Sequence, residues 1–247
     1  MLSGGRTLYG LPVGILMLDT RFPRPPGDVG NASTWPFPVR YRIVKGAESR
    51  MIIGEGGLGM LGPFTEAARE LEADGVKMIT TSCGFLAVAQ RELQAAVRVP
   101  VLTSSLLQVP LAARLIRPDQ RVAIITSRDH LTERHFEGTG WSSKTIPVHV
   151  TVLPEKAQMT QVYSSMVPEA PRPEADQEIL ESDLVGAATR TLRDHPDVGA
   201  FVLECTNYVP YSGAIRRATG LPVFDLYTLV MQGYLATSGT EFSRELR

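Results

Sequence analysis

The sequence predicts an α/β fold built on mainly parallel sheets. Short apolar runs rich in valine and isoleucine alternate with longer segments of helical periodicity along the 247 residues. Near-continuous apolar strands are typical of sheets that helices cover on both faces. The alternation of the two patterns indicates βαβ units with right-handed crossovers.

Eight strands and five helices are predicted in order along the chain. The strands are Gly14–Leu18, Val39–Val44, Lys77–Thr81, Val99–Leu102, Arg121–Thr126, Val148–Leu153, Ala200–Leu203 and Pro222–Phe224. The helical patterns are Met60–Ala73, Phe85–Val97, Leu106–Ile116, Ile179–Arg193 and Leu226–Leu235. Residues 19–38 and 154–176 are proline-rich and are predicted as long loops, the kind that is usually functional or disordered.

An internal repeat relates the two halves of the chain. A shift of 122 residues aligns Cys83 with Cys205 and Pro100 with Pro222. In each copy a buried strand ends at a cysteine, a helix follows, and a proline opens the next strand. We therefore expect two similar doubly wound lobes related by pseudo-two-fold symmetry, with the site between them. The predicted N-terminal lobe is 1–105 plus 222–247, and the C-terminal lobe is 106–221.

Composition and charge exclude several classes of protein. Lysine and arginine total 25 and aspartate and glutamate total 26, so the net charge of −1 gives no reason to expect nucleic acid or an anionic membrane as partner. Two cysteines in a chain of this length do not make a disulfide framework. Neither a secretory signal nor a spanning segment is apparent, which predicts a cytoplasmic protein. The oligomeric state is open, and a homodimer is one option.

The paired cysteines predict acid–base chemistry at a carbon atom. If each cysteine follows a strand and begins a helix, the helix dipole favours its thiolate. A thiolate on one face of a substrate can remove a proton from carbon, and a thiol on the other face can return one. The result is inversion at that carbon without a cofactor, and the neighbouring backbone N–H and hydroxyl groups can stabilise the intermediate.

The motifs around the cysteines resemble a known family. S-C-G at Ser82–Gly84 and E-C-T-N at Glu204–Asn207 are similar to the aspartate/glutamate/hydantoin racemase superfamily. The resemblance implies an isomerase, specifically a cofactor-independent racemase or epimerase of an amino acid, hydantoin or related small carboxylate. It implies catalytic roles for Cys83 and Cys205 and a contact of Thr206 with the substrate carboxylate. The residues that flank the cysteines at the helix starts are further candidates for substrate contact, namely Ser82, Gly84, Phe85 and Asn207.

Departures from the family pattern keep other activities open. Gly84 and Phe85 stand where the amino-acid racemases have Asn-Thr, and Asn207 stands where an acid or histidine is common. Relatives with one active cysteine include arylmalonate decarboxylases and maleate isomerases. The alternatives are therefore a single-cysteine decarboxylase or cis–trans isomerase, or a non-catalytic small-molecule binding protein.

The first loop supplies further candidates for substrate binding. Asp19 ends the first strand at the carboxyl edge where α/β sheets bind ligands, and Asn31 could reach the same cleft. Arg21 and Arg24 are candidates to pair with a substrate carboxylate. Ser104 is interpreted as a helix cap.

Two other signals are set aside. The Gly54–Gly59 segment matches G-x-G-x-x-G, but it does not lie in the first βα unit, so a flexible helix entry is favoured over nucleotide binding. The four histidines lack zinc-site spacing, so no metal is expected.

Overall fold

The computed structural model describes residues 1, 4–48, 52, 58–164 and 174–239, and within them it has two four-stranded parallel sheets. The strand order is β2-β1-β3-β4 in the first sheet and β6-β5-β7-β8 in the second. The strands are β1 Val13–Leu18, β2 Val39–Val44, β3 Met78–Thr81, β4 Val101–Leu102, β5 Arg121–Thr126, β6 Val148–Val152, β7 Val198–Leu203 and β8 Val223–Phe224. All eight predicted strands are present, and the predicted fold class is confirmed.

The helices connect and flank these strands. The α-helices are α1 Leu61–Asp74, α2 Gln90–Ala96, α3 Val109–Leu115, α4 Glu133–Gly138, α5 Gln158–Ser164, α6 Gln177–Asp194, α7 Ser212–Thr219 and α8 Leu226–Ser238. Short 3₁₀ helices cover Ala32–Thr34, Leu58–Met60, Gly84–Ala89, Ser105–Gln108 and Thr206–Tyr211. The sequence pattern missed α4, as well as α5, which lies inside the predicted 154–176 loop. The five helical patterns also omit α7, which only the repeat predicts.

The central strands are buried because helices cover both faces of each sheet. Along β1, Leu16 and Leu18 point into a core that includes Leu71 of α1. The alternate residues, Ile15 and Met17 among them, point into a second core formed with α8. The second sheet repeats this arrangement with α6 and α7 on one face and α3 on the other. Burial on both faces explains the continuous apolar runs in the sequence.

The two sheets share one topology and one pairing register. Ile79 pairs with Val101 in the first sheet, and the residues 122 positions later, Phe201 and Val223, pair in the second. The repeat seen in the sequence therefore corresponds to equivalent strands, which confirms two lobes built on the same plan.

The C-terminal residues are divided between the lobes, and this corrects one predicted boundary. Residues 222–247 were assigned to the N-terminal lobe, but β8 hydrogen-bonds to β7 and completes the second sheet. Of the residues from 222 to 239, which the structure describes, those of α8 pack against the first sheet, through Leu226, Leu229 and Val230. The chain therefore crosses from the second lobe to the first after Phe224. Strand β8 pairs with β7 in the second sheet, just as β4 pairs with β3 in the first.

The predicted helices after the two strands begin in tighter turns than expected. Residues 84–89 and 105–108 form 3₁₀ helices that precede α2 and α3. Ser104 accepts a hydrogen bond from the backbone N–H of Leu106, as its predicted capping role requires. Most of the glycine-rich match at 54–59 lies outside the described residues, so the choice between a helix entry and a nucleotide loop stays a prediction.

Leu71 anchors α1 to the first sheet, and its truncation tests this packing. We expect Leu71→Ala to lower the free energy of unfolding by about 3 kcal/mol, because the side chain is fully buried and leaves a cavity. Leu115→Ala is the matched control, since Leu115 is 63% exposed and should change stability by less than about 0.5 kcal/mol. Urea denaturation measures both, and equal effects would contradict the described core.

Candidate active site

The two cysteines occupy equivalent positions at the carboxyl edges of the two sheets. Cys83 follows β3 after one residue, and Cys205 follows β7 after one residue. Both have extended backbones, and each is the N-cap of a 3₁₀ helix. Each thiol therefore lies between a central strand and a helix start, as the sequence predicts.

Both cysteines line one small cavity between the lobes. Its free volume is about 20 Å³, room for about one water molecule. Seven of the nine predicted site residues line it, namely Cys83, Cys205, Ser82, Gly84, Phe85, Thr206 and Asn207. Pairing of the thiols across one cavity therefore follows from the fold, while the chemical role of each residue stays a proposal.

The other two predicted site residues lie outside this cavity. Asn31 caps the Ala32–Thr34 turn by accepting from the Ser33 N–H at 3.0 Å, and its amide donates to the Arg24 carbonyl. Asp19 is anchored by its backbone N–H to the Ala47 carbonyl and does not line the cavity. Arg24 is held by Asp28 at 2.7 Å and by Thr20, because the first loop folds back on itself. The side chains of Asn31 and Arg24 thus take part in local turns of the first loop.

The lobes meet directly at the cavity. Thr206 Oγ1 donates to the Ser82 carbonyl at 2.8 Å, joining one cysteine motif to the other. Gly84 packs against Glu204 so closely that a side chain at position 84 would overlap its carbonyl and carboxyl oxygens. Close approach therefore requires glycine here, at the position where the amino-acid racemases carry asparagine.

Burial reverses the expected ionisation of the thiols. The sequence predicted lowered pKa values from the helix starts, but desolvation, followed by the charge of Glu204, raises the pKa of Cys83 to about 12. Backbone N–H groups of Phe85 and Leu86 do lower it, as predicted, but by less. Desolvation and Glu204 also raise the pKa of Cys205. Both thiols are consequently protonated near neutral pH in this closed form.

Glu204 is a site residue that the sequence reasoning did not select. It is fully buried, and its Oε2 accepts a hydrogen bond from Thr126 Oγ1 at 2.8 Å, while Oε1 has no partner among the described residues. Desolvation raises the pKa of this carboxyl to about 8. A charged residue that ends an apolar strand, directly before a cysteine, was the signal that could have identified it.

Aromatic and acidic groups dominate the surroundings of Cys205. Phe22 lines the cavity and packs edge-on against Tyr163, with ring centroids 4.9 Å apart. Tyr208 is completely buried, and its hydroxyl has no partner among the described residues. Of the described residues that line the cavity, none is lysine, arginine or histidine.

Two absences apply to the part of the chain that the structure describes. It contains no group of three histidine, cysteine or acidic side chains placed to hold a metal ion. It also contains no helix with the length and hydrophobicity to cross a membrane. The cytoplasmic location and the homodimer stay predictions.

Replacing Glu204 by glutamine tests its buried, protonated state. The folded protein holds this proton to about pH 8, whereas the ordinary pKa of a glutamate carboxyl is 4.5. Because the folded pKa is raised, the stability from the protonated carboxyl is full below 4.5 and is lost as the pH rises toward 8. Wild type should lose stability relative to Glu204→Gln across this window, by at most roughly 1.4 kcal/mol per pH unit.

Urea unfolding of both proteins from about pH 4.5 to 8 measures this difference. The exposed Glu155→Gln is the control, and its pH profile should match that of wild type. Parallel curves for wild type and Glu204→Gln would show that the carboxyl is ionised and hydrated in the folded protein.

Curated relatives cover most of the chain, although no family model matches it. Over 225 residues the chain is 30% identical to a dimethylsulfoniopropionate lyase of Durusdinium sp. clade D, which covers 86% of this chain and 70% of that protein. Dimethylsulfoniopropionate lyases 7 and 3 of Emiliania huxleyi are each 29% identical over 87% of this chain and over 64% and 57% of their own lengths. The chain thus spans 57 to 70% of these relatives.

Solved structures match the fold over nearly the whole chain. Arylmalonate decarboxylase matches with a TM-score of 0.56 and 16% sequence identity, over 94% of this chain and 96% of that one. Picrophilus torridus aspartate racemase matches with a TM-score of 0.57 and 11% sequence identity, also over 94% of this chain and 96% of that one. A glutamate racemase isoform of Bacillus anthracis matches with a TM-score of 0.55 and 13% sequence identity, over 93% of this chain and 83% of that one. The predicted superfamily resemblance is confirmed in the fold. The chain belongs to the family represented by the Durusdinium dimethylsulfoniopropionate lyase, and its fold is that of the aspartate/glutamate racemase superfamily.

Proposed function

We propose that this protein is a lyase that eliminates dimethyl sulfide from dimethylsulfoniopropionate or a closely related cationic acid. A base removes a proton from the carbon next to the carboxylate, and the carbon–sulfur bond breaks. The electron pair of that bond leaves with sulfur, so the products are dimethyl sulfide, acrylate and a proton on the base. The observation that carries the proposal is a cavity that combines two thiols with acidic and aromatic groups, in a chain whose relatives are named as such lyases.

The proposed reaction shares its first step with the racemisation predicted from sequence. Both begin with removal of a proton from the carbon beside a carboxylate, which is why one arrangement of thiols suits both. They differ afterwards, because racemisation returns a proton from the opposite face and elimination expels a leaving group instead. A sulfonium is a good leaving group, so elimination requires only one base.

A cationic substrate also answers the problem of the protonated thiols. Burial and Glu204 raise the pKa of Cys83 from 9.0 to about 12 and that of Cys205 in the same direction. A unit positive charge about 4 Å from a thiolate stabilises it by roughly 4 kcal/mol at an effective dielectric constant near 20, or about three pKa units. The sulfonium can therefore offset the effect of burial and return the thiol toward its ordinary pKa of 9.0, which raises the thiolate fraction only when substrate is bound.

Cys205 is the better placed of the two thiols to act as this base. It is partly exposed, whereas Cys83 is 8% exposed. Asp28 raises its pKa as well as Glu204 does, so the charge that a bound sulfonium brings acts against both of these influences. Phe22 completes the cationic end of the cavity. We assign carboxylate binding to the backbone N–H groups that begin the helices at 84–89 and 206–211, because the Thr206 hydroxyl already donates to the Ser82 carbonyl.

Substrate entry requires the cavity to enlarge. The free volume of about 20 Å³ is several times too small for the proposed substrate. Phe22 belongs to the first loop and packs on Tyr163 of α5, so displacement of this aromatic contact opens the cationic end. Closure afterwards excludes water, which strengthens the electrostatic interaction between thiolate and sulfonium.

A cofactor-independent racemase or epimerase remains the second candidate, because both thiols line one cavity at symmetry-equivalent positions. In this case Cys83 and Cys205 alternate as acid and base, and both are indispensable. Deuterium exchange at the stereocentre of amino acids or hydantoins in D₂O detects this activity, and elimination leaves no such product.

Serine variants of the two cysteines distinguish these functions. We expect Cys205→Ser to lower dimethyl sulfide release by at least about a thousandfold, because serine is a much weaker base. Cys83→Ser should lower it by roughly tenfold to a hundredfold through altered packing and polarity. Headspace gas chromatography of purified protein measures the rate.

Ser33→Ala, at an exposed position in the first loop, is the control and should keep the wild-type rate. Circular dichroism checks that each variant is folded. If wild type releases no dimethyl sulfide but exchanges deuterium into an amino acid or hydantoin, with both cysteines required, the lyase proposal fails and the racemase is correct.

A further inference from the structure

A buried aspartate links the first loop to the second cysteine motif. Asp28 is fully buried, and its Oδ1 accepts hydrogen bonds from Arg24 Nη1 at 2.7 Å and from the Gly30 N–H at 2.8 Å. Its Oδ2 accepts from Asn207 Nδ2 at 2.9 Å. Asp28 thus accepts three hydrogen bonds within the described residues, the behaviour of an ionised carboxylate.

This contact determines which way the Asn207 amide points. A carboxylate can only accept hydrogen bonds, so the amide must present its NH₂ group to Asp28. Its carbonyl oxygen then faces the other way, where Oδ1 lies 3.7 Å from Cys205 Sγ and accepts from the thiol. The reverse orientation would place two acceptors together at Asp28 and turn a donor toward the sulfur.

We propose that Asp28 is a positioning residue for Cys205, which acts through Asn207 to hold the proton on the sulfur until substrate arrives. Arg24 supports Asp28 from the opposite side and is itself held by Thr20 at 2.9 Å. The aspartate touches neither the thiol nor the cavity, so its effect is relayed by one amide. Asn207, at the position where the family pattern commonly has an acid or histidine, thereby has the function of linking Asp28 to the Cys205 sulfur.

Most of the other influences on the pKa of Cys205 act in the same direction. Burial is the largest, followed by Glu204, and both raise this pKa; a backbone hydrogen bond at Asn207 lowers it, and Cys83 and Asp28 raise it further. Tyr163 and Tyr208 are coupled to it as well. The cation Arg24 is paired with Asp28, and its guanidinium lies 5.7 Å from the centroid of the Phe22 ring. Of these groups, Asp28 differs in fixing the orientation of a hydrogen-bond acceptor on the sulfur.

The effect of Asp28 on catalysis rests on the proposed role of Cys205 as base. Its effect on the protonation state of the Cys205 thiol, however, can be measured without turnover. The rate of alkylation by iodoacetamide follows the thiolate fraction, and peptide mass spectrometry reports Cys205 and Cys83 separately. In Asp28→Asn the Asn207 amide is free to turn its NH₂ group toward the sulfur, and one negative charge is lost. Both changes favour the thiolate.

We expect Asp28→Asn to raise the alkylation rate of Cys205 by about tenfold near pH 8, which corresponds to an apparent pKa lower by about one unit. The rate at Cys83 should stay unchanged, because no described hydrogen bond joins Asp28 to that motif. An unchanged rate at Cys205 would overturn the proposal. A rise at both cysteines would also overturn it, since loosening of the whole cavity would then be the cause.

Asn207→Asp provides a second test with the opposite sign. It replaces the amide with a carboxyl group that only adds acceptors and negative charge beside the sulfur, so alkylation of Cys205 should become at least about threefold slower. Partial unfolding would instead accelerate it, so the result remains interpretable if Asp28→Asn does not fold. An equal or faster rate in a folded Asn207→Asp variant contradicts the proposal. Neither assay depends on elimination, so a protein with another activity gives the same answer.

Discussion

Direct contact between the two lobes at their cysteine motifs is the constraint on which the site depends. The Thr206 hydroxyl bonds to the Ser82 carbonyl, and Gly84 lies against Glu204 with no space for a side chain. These contacts bring together two strand ends that are 122 residues apart in sequence. They also remove water from the space between the thiols, so the same packing that assembles the site sets its electrostatics.

Desolvation then controls the chemistry. In this closed cavity the thiols and the Glu204 carboxyl all have raised pKa values, so the resting site is close to neutral and unreactive. A racemase with an anionic substrate would have to generate its thiolate against these effects. In the proposed elimination, the sulfonium of the substrate supplies a positive charge beside the thiol that removes the proton.

The sequence predicted the architecture well because strands, helices and the repeat are encoded in local patterns. The eight apolar runs and the matched Cys–Pro spacing were sufficient to place Cys83 and Cys205 at equivalent strand ends. The ionisation of the thiols was predicted wrongly, because the helix-start argument is local whereas burial depends on how closely the lobes approach. Asn31 was selected for its side chain and proved to cap a turn. Asp28, three residues earlier, reaches the second lobe, which only the tertiary fold reveals.

Ultraviolet absorbance of the thiolate, followed as a function of pH, tests the central claim most directly. The titration is carried out with the trimethylammonio analogue of dimethylsulfoniopropionate and with the uncharged carbon isostere of that analogue. If a bound cation generates the base, the thiolate should titrate about three pH units lower with the charged analogue than with the isostere or with no ligand. Cys205→Ser should remove the signal. Identical titration curves with the charged analogue and the isostere, at concentrations that saturate both, would contradict the account.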